Sequence, residues 1–352
     1  MKHKTLKWTT LLLALVLASS LLLAGCGPKE PGGKDAEGKN VAMITDIGGI
    51  NDESFNQSAW NGMELLKKDG INVSFLESEK EADYKINIDR KTEEDNVIIW
   101  GIGFMMHDAI EEAARSHPDQ LYAIVDSEFA PGDPANAVGA MFHSEESSFL
   151  VGYIAGMMTE TDHVGFILGM ESDVMFRFKY GYLAGVEYAA HELGKEIRVD
   201  AVTIDTFDDT AKGKATATKM YSDGADIVYH AAGQAGSGAI KAAEEMGKWA
   251  IGVDLDQNGL APDNVLTSAL KNVDQAVYQL STKAINGEEV GGKTFYFGLK
   301  DGGVGIAPSS DKHVPKDILD KTAELEQKII NGEIKCPITE DEFNQWLADL
   351  QG

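Results

Sequence analysis

The sequence predicts an α/β protein built as two doubly wound, parallel-sheet lobes joined by a hinge. Three observations carry that expectation. From Asn40 onward, short β-branched runs alternate with longer segments of helical periodicity. The strand runs are apolar along their whole length rather than alternating, as expected of strands covered on both faces. The series occurs twice, on a chain of 352 residues, long enough for about two domains.

In order, Val41–Thr45 reads as a strand and Ser54–Lys68 as an amphipathic helix. Val73–Leu76 and Val97–Trp100 are strands with Glu/Lys-rich helical sequence between them. His107–Ser116 is helical and Leu121–Val125 extended. Helix is expected over Glu146–Thr159 and Phe178–Leu193, with strand Val164–Leu168 between them. Ile197–Thr203, Ile227–His230, Ala250–Val253 and Leu266–Leu270 complete the strands of the second series. The division expected is a first lobe of 40–145 plus 269–293 and a second of 146–268 plus 294–352.

A doubly wound sheet carries its functional loops at the carboxyl ends of its strands. Asp46, Gly101, Asp126, Gly169, Ala231 and Asp254 fall there. Each Asp would also serve as a helix cap or turn residue, but three of them at strand ends favour a polar cleft between the lobes.

The amino terminus adds an address. Lys2, Lys4 and Lys7 precede a stretch, Trp8–Leu23, that is apolar apart from Thr9, Thr10, Ser19 and Ser20, and Leu23-Ala24-Gly25-Cys26 closes it. A basic start, a short apolar run and small residues before a cleavage point make a secretory signal over 1–25. The last four residues resemble a bacterial lipobox, which implies cleavage before Cys26 and lipid on that Cys. Residues 26–39 have no apolar side chain large enough to pack and read as a disordered tether with a reach of roughly 20 Å. Cleavage removes three Lys and no acid, taking the formal net charge from −26 to −29. So acidic a surface argues against nucleic acid and against adhesion to anionic lipid, so the membrane is met through the lipid anchor only. The only other Cys is Cys336, so a lipidated chain has no internal disulfide.

Enzyme signatures fail on context. Gly287-Glu288-Glu289-Val290-Gly291-Gly292-Lys293-Thr294 fits a phosphate-loop pattern, but a helix precedes it and a strand follows, the reverse of what that loop needs. Gly233-Gln234-Ala235-Gly236-Ser237-Gly238 has neither dinucleotide nor nucleophile-elbow spacing; it offers close backbone approach and N–H donors at a helix start. The His residues are scattered, so no metal site is expected. No cofactor is expected either.

Two aromatics stand out. Phe55 and Asn56 open the first helix after the glycine-relaxed turn Ile47–Asn51, and Phe207 lies in Asp205-Thr206-Phe207-Asp208-Asp209 after a strand of the second series. Either Phe would serve as core; on opposite lobes the pair would sandwich a flat ring, with neighbouring carboxylates accepting hydrogen bonds from hydroxyl or N–H groups.

Thr45–Gly62 resembles the opening motif of the basic membrane protein family, the purine nucleoside receptor lipoproteins. The resemblance continues through Val125–Ser127, Glu145–Tyr153, Val164–Met170, Thr206–Lys214, Ala231–Gly233, Gly252–Gln257 and Thr267–Lys271. It implies a type I periplasmic-binding fold and the substrate-binding component of an ABC importer, not an enzyme. It also implies a permease and its ATPase as partners, a nucleoside ligand, and a location on the extracytoplasmic face of the cell membrane. Carried over position by position, Phe55 and Phe207 look like the pair stacking on the base. Asp46, Asn56 and Asp126 look like polar groups near the base, and Gly233, Asp254 and Lys271 like ribose contacts. Ala232, Met170 and Phe176 are further lining candidates. The block at Gly233 departs from the Gly-Gly-Thr-Gly more usual there, which removes a hydroxyl at Ala235. No Arg cluster appears among these positions, so a neutral nucleoside, bound by a monomer, is expected rather than a nucleotide. A sensing lipoprotein with the same site, or a nucleoside hydrolase, are the competing readings.

Overall fold

The computed structural model describes residues 38–351, within a compact unit that begins at Gly38. The signal segment 1–25, Cys26 and the tether as far as residue 37 lie outside the described residues.

The first series is β1 (Asn40–Ile47), α1 (Phe55–Lys68), β2 (Asn72–Ser78), α2 (Ala82–Thr92), β3 (Ile98–Ile102), α3 (His107–Ser116), β4 (Tyr122–Val125) and β5 (Ala137–Phe142). The second runs α4 (Ser144–Met158), β6 (His163–Leu168), α5 (Asp173–Leu193), β7 (Arg198–Thr203), α6 (Thr210–Ser222), β8 (Ile227–Ala231), α7 (Ala235–Met246), β9 (Trp249–Asp254) and β10 (Val265–Lys271). The chain then crosses back with α8 (Val273–Ile285) and β11 (Lys293–Phe297). It returns with β12 (Val304–Ile306), α9 (Lys316–Ile330) and α10 (Glu340–Gln351).

Two six-stranded sheets result, ordered β11-β5-β4-β3-β1-β2 and β12-β10-β9-β8-β6-β7. Every pairing is parallel except β10 with β12. This is the two-lobe α/β fold the alternating pattern predicts. Strand order reverses beside β1 in one sheet and beside β6 in the other, and a doubly wound sheet opens a crevice at such a reversal.

The expectation that 294–352 belongs wholly with the second lobe is corrected by β11. This strand pairs with β5 of the first sheet, from Lys293 opposite Val138 to Phe297 opposite Phe142. Gly139 makes room for it, since a Cβ there would come within 2.9 Å of Thr294 Oγ1, and that hydroxyl accepts the Phe129 N–H at 2.9 Å. The sequence reading passed over β5 itself: Ala137-Val138-Gly139-Ala140-Met141-Phe142 is wholly buried, but its small residues and glycine weaken the strand signal.

The core lies on both faces of each sheet. Trp100 of β3 is fully buried and donates its indole N–H to Ser281 of α8 at 2.9 Å, fastening the returning helix to the first lobe. In the second lobe the rings of Phe166, Tyr182 and Tyr229 meet at 5.1–5.6 Å between centroids. Among the described residues, no helix is long and apolar enough to cross a membrane.

Helices α4 and α5 pack backbone to backbone, and a Cβ at Gly185 would overlap the Phe149 carbonyl. Because a backbone carbonyl cannot rotate away, Gly185→Ala is expected to lower stability by about 1–3 kcal/mol. Urea unfolding of the two proteins measures it; an unchanged midpoint would contradict this packing.

Candidate ligand-binding cleft

The site grows from the strand ends. Asp46 lies near the end of β1, and the loop that follows turns back to start α1. Asp52 organises that start. Its Oδ1 accepts the N–H groups of Ser54 and Gln57 at 3.0 Å each, and its Oδ2 accepts that of Asn56 at 2.8 Å, satisfying helix-start donors that otherwise lack partners. The Asn56 amide donates to Asp46 Oδ1 at 2.6 Å and to Asp52 Oδ2 at 3.1 Å.

Asp126 follows β4 and Asp254 ends β9, at corresponding places in the two sheets. Both have left-handed backbone, φ +65° and +64°, a conformation Asp tolerates better than most residues. Lys271 ends β10. Its Nζ pairs with Asp126 Oδ2 at 2.5 Å, and the centroids of Phe55, Phe142 and Phe178 lie 4.6, 5.1 and 5.6 Å away, close enough for cation–π attraction. The Ser54 hydroxyl donates to Asp254 Oδ2 at 2.5 Å, and the Gln257 amide donates to the Glu53 carbonyl at 2.9 Å. These contacts join the first lobe to the second around the cleft.

Phe207 is held by its backbone. Thr206 N–H donates to Gly169 O at 2.9 Å, and Ala235 N–H donates to Phe207 O at 2.8 Å. Gly169 lies beneath the ring, where a Cβ would overlap it. Phe104, after β3, meets Phe207 edge-on at 6.4 Å from the other lobe. The turn at Gly233 (φ +51°) behaves differently from expectation: the helix-start donors of Ala235, Gly236 and Ser237 are taken by Phe207 O, Gly233 O and Gln234 O. They anchor the Phe207 loop and close the turn, so they are not available to a ligand.

All eight candidates, Asp46, Phe55, Asn56, Asp126, Phe207, Gly233, Asp254 and Lys271, line one cavity. Of the weaker three, Ala232 lines it, while Met170 and Phe176 are not among the lining residues. Asp52, Phe104, Met175 and Phe178 line it too and were missed. Phe104 had a usable signal, an aromatic just past a strand end. Met175 and Phe178 project from the first turns of α5, which begins five residues earlier than its apolar periodicity suggests, capped by Ser172.

Electrostatically the cleft carries excess acid. Burial pushes Asp254 up to about 6; Lys271 and the Ser54 hydroxyl oppose the shift, and Asp52 and Asp126 add to it. Burial likewise raises Asp46 well above its ordinary value despite its Asn56 partner, with Asp52, Asp126 and Asp254 pushing the same way. Asp52 is raised by burial against the pull of its N–H donors. Beneath the Gly233 turn, burial drives His230 down to about 4, so it is neutral. Among the described residues no cluster of three or more His, Cys, Asp or Glu is placed to hold a metal ion.

Two doubly wound lobes facing each other across a polar, aromatic cleft define a solute-binding protein. An ABC transporter solute-binding protein of Aeropyrum pernix K1 has the same fold at a TM-score of 0.80 and 26% identity, over 89% of this chain and 97% of that one. Residues 39–340 match the Bmp family, ABC transporter substrate-binding proteins of the PnrA-like type, and the chain belongs to that family. The CD4+ T-cell-stimulating antigen of Listeria monocytogenes is 37% identical over 366 residues, 96% of this chain and 99% of that protein. The ABC transporter nucleoside-binding protein BmpA of Lactococcus lactis is 35% identical over 349 residues, 92% and 97% of the two chains.

The raised Asp254 makes a stability prediction. A carboxyl whose folded value lies above its unfolded one binds more protons when folded, so stability falls as pH rises from about 4 through about 6. Asp254→Asn is therefore expected to stabilise the ligand-free protein at pH 7 by up to about 3 kcal/mol, with the gain fading towards pH 4. Urea unfolding at the two pH values tests this, and a variant less stable than the parent at pH 7 would contradict it.

Proposed function

We propose that this chain captures a purine nucleoside between its lobes and delivers it, as a monomer, to an ABC permease and its ATPase. It would do so from a lipid anchor at Cys26 on the extracytoplasmic face of the membrane. The observation that carries the reading is the meeting, in one cavity, of aromatic rings from both lobes with a wall of hydrogen-bond acceptors. In this reading Phe55 and Phe207 stack on the base, Asp46, Asn56 and Asp126 meet its polar edge, and Gly233, Asp254 and Lys271 hold the ribose. The naming of the Lactococcus lactis relative as nucleoside-binding supports it. Hinge closure would bring the two halves of the site together and remove base and sugar from water.

The charge balance favours a neutral ligand. Four carboxylates and one ammonium line the cavity, no Arg does, and the ammonium already faces Asp126. A phosphate would meet net repulsion and lack the bidentate donors it favours.

Calorimetry on the isolated unit beginning at Gly38, unfolded and refolded to remove carried ligand, decides this. Adenosine, guanosine or inosine is expected to bind more tightly than its monophosphate; tighter monophosphate binding would overturn the proposal. Phe207→Ala is expected to cost about 1–4 kcal/mol of binding; unchanged affinity would remove Phe207 from the site.

A further inference from the structure

We infer that Asp52 is a positioning residue: it fixes the Asn56 amide so that only the Asn56 carbonyl oxygen is left to the ligand, and the ligand must therefore present a hydrogen-bond donor there, which in the nucleoside reading is an N–H of the base edge. The identity of the ligand as a nucleoside rests on the reading above; the orientation of the amide does not.

Three observations lead there. Both Asn56 Nδ2 protons are engaged by carboxylates of the chain, one on Asp46 and one on Asp52. Turning the amide over would set its carbonyl oxygen against Asp52 Oδ2, an oxygen already held as an acceptor by the Asn56 N–H, so the orientation is set by Asp52 through electrostatics as well as hydrogen bonding. Asn56 Oδ1 is buried and has no partner in the chain, on a residue only 2% exposed that lines the cavity. A buried acceptor without a donor is unfavourable, and a ligand donor is what would relieve it.

Asp52 is rigid enough to impose this. Each of its oxygens accepts two N–H bonds, three from the backbone that opens α1 and one from Asn56 itself. It is thereby fixed to the same helical turn that carries Phe55 and Asn56. The side chain is nearly fully buried, so water does not compete for these bonds.

A nucleoside base that stacks equally well but has no edge donor should be rejected, because a site built to hydrogen-bond a group discriminates strongly against the analogue lacking it. Adenosine carries an exocyclic amine, and guanosine and inosine a ring N–H. Purine riboside has the same ring system and acceptors alone.

The test uses the isolated unit beginning at Gly38. Calorimetry is expected to show purine riboside binding at least about tenfold more weakly than adenosine. In Asp52→Asn, the ratio should fall to within about threefold. Asp52→Ser keeps a helix-capping oxygen yet cannot also hold Nδ2, and should do the same if Asp52→Asn fails to fold. Separately, the Asn56 side-chain NH₂ signals of the ligand-free protein, assigned by their loss in Asn56→Ser, should exchange slowly with solvent and speed up in either Asp52 variant. Equal binding of purine riboside and adenosine by the parent overturns the donor requirement. An unchanged ratio, or unchanged exchange, in a folded Asp52 variant overturns the role of Asp52. If no nucleoside binds at all, the functional reading fails, and the exchange measurement still decides the positioning of Asn56.

Discussion

A charge taken out of water must find partners, and the cleft is organised around that requirement at Lys271. Its side chain is 2% exposed, and its Nζ has one carboxylate, Asp126, and three aromatic faces around it. Removing either member of such a pair strands a buried charge, which is far more costly than the pair is favourable. Asp126 follows a strand of the first sheet and Lys271 ends a strand of the second, so the pair forms only when the lobes are together. The same ammonium offsets part of the repulsion at Asp254. Burial raises Asp46, Asp52 and Asp254, and neighbouring carboxylates add to the rise at Asp46 and Asp254.

The two carboxylates that flank Lys271 owe their position to a repeated piece of backbone geometry. Each lies where the fourth strand of its series ends, and each adopts a left-handed φ that most side chains avoid. A residue in extended backbone at that point would continue the strand; the left-handed turn redirects the carboxylate toward the opposite lobe. Two copies of one sheet topology, facing one another, thus supply equivalent acids to one ligand space. Symmetry of the lobes explains the acids, and its breakdown at β10, where the equivalent of Phe142 is Lys271, explains the cation.

Much of this was legible in the sequence because strand ends are legible. Apolar runs located β1, β4 and β9, and the polar residue after each run was Asp46, Asp126 or Asp254. Helix periodicity was less informative about the wall that α5 provides: it found the buried stripe from Phe178 onward but not the first turn, where Met175 lines the cavity. Asp52 was hidden for another reason. A run of Asn51, Asp52, Glu53 and Ser54 offers several equivalent caps, and only the folded loop shows that Asp52 takes three backbone donors while the Ser54 hydroxyl crosses to Asp254. The assignment of β11 was similarly a tertiary matter, since its partner β5 is a weak strand by composition and gains its stability from complete burial.

The contacts between lobes described here surround the cleft: Ser54 with Asp254, Glu53 with Gln257, Asp126 with Lys271, Phe104 with Phe207. Away from the cleft, the chain passes between sheets at three places, and two of these are bonded to each other, His143 N–H to Phe297 O at 2.9 Å and Glu146 to the Leu299 N–H at 2.7 Å. Those crossings keep the lobes in register without filling the space between them. Of the residues making these contacts, Asp126, Lys271, Asp254, Phe104 and Phe207 also line the cavity. A ligand that supplies hydrogen-bond donors to the acceptors there binds against residues that also join the lobes, so that enclosure and recognition share Asp126, Lys271, Asp254, Phe104 and Phe207.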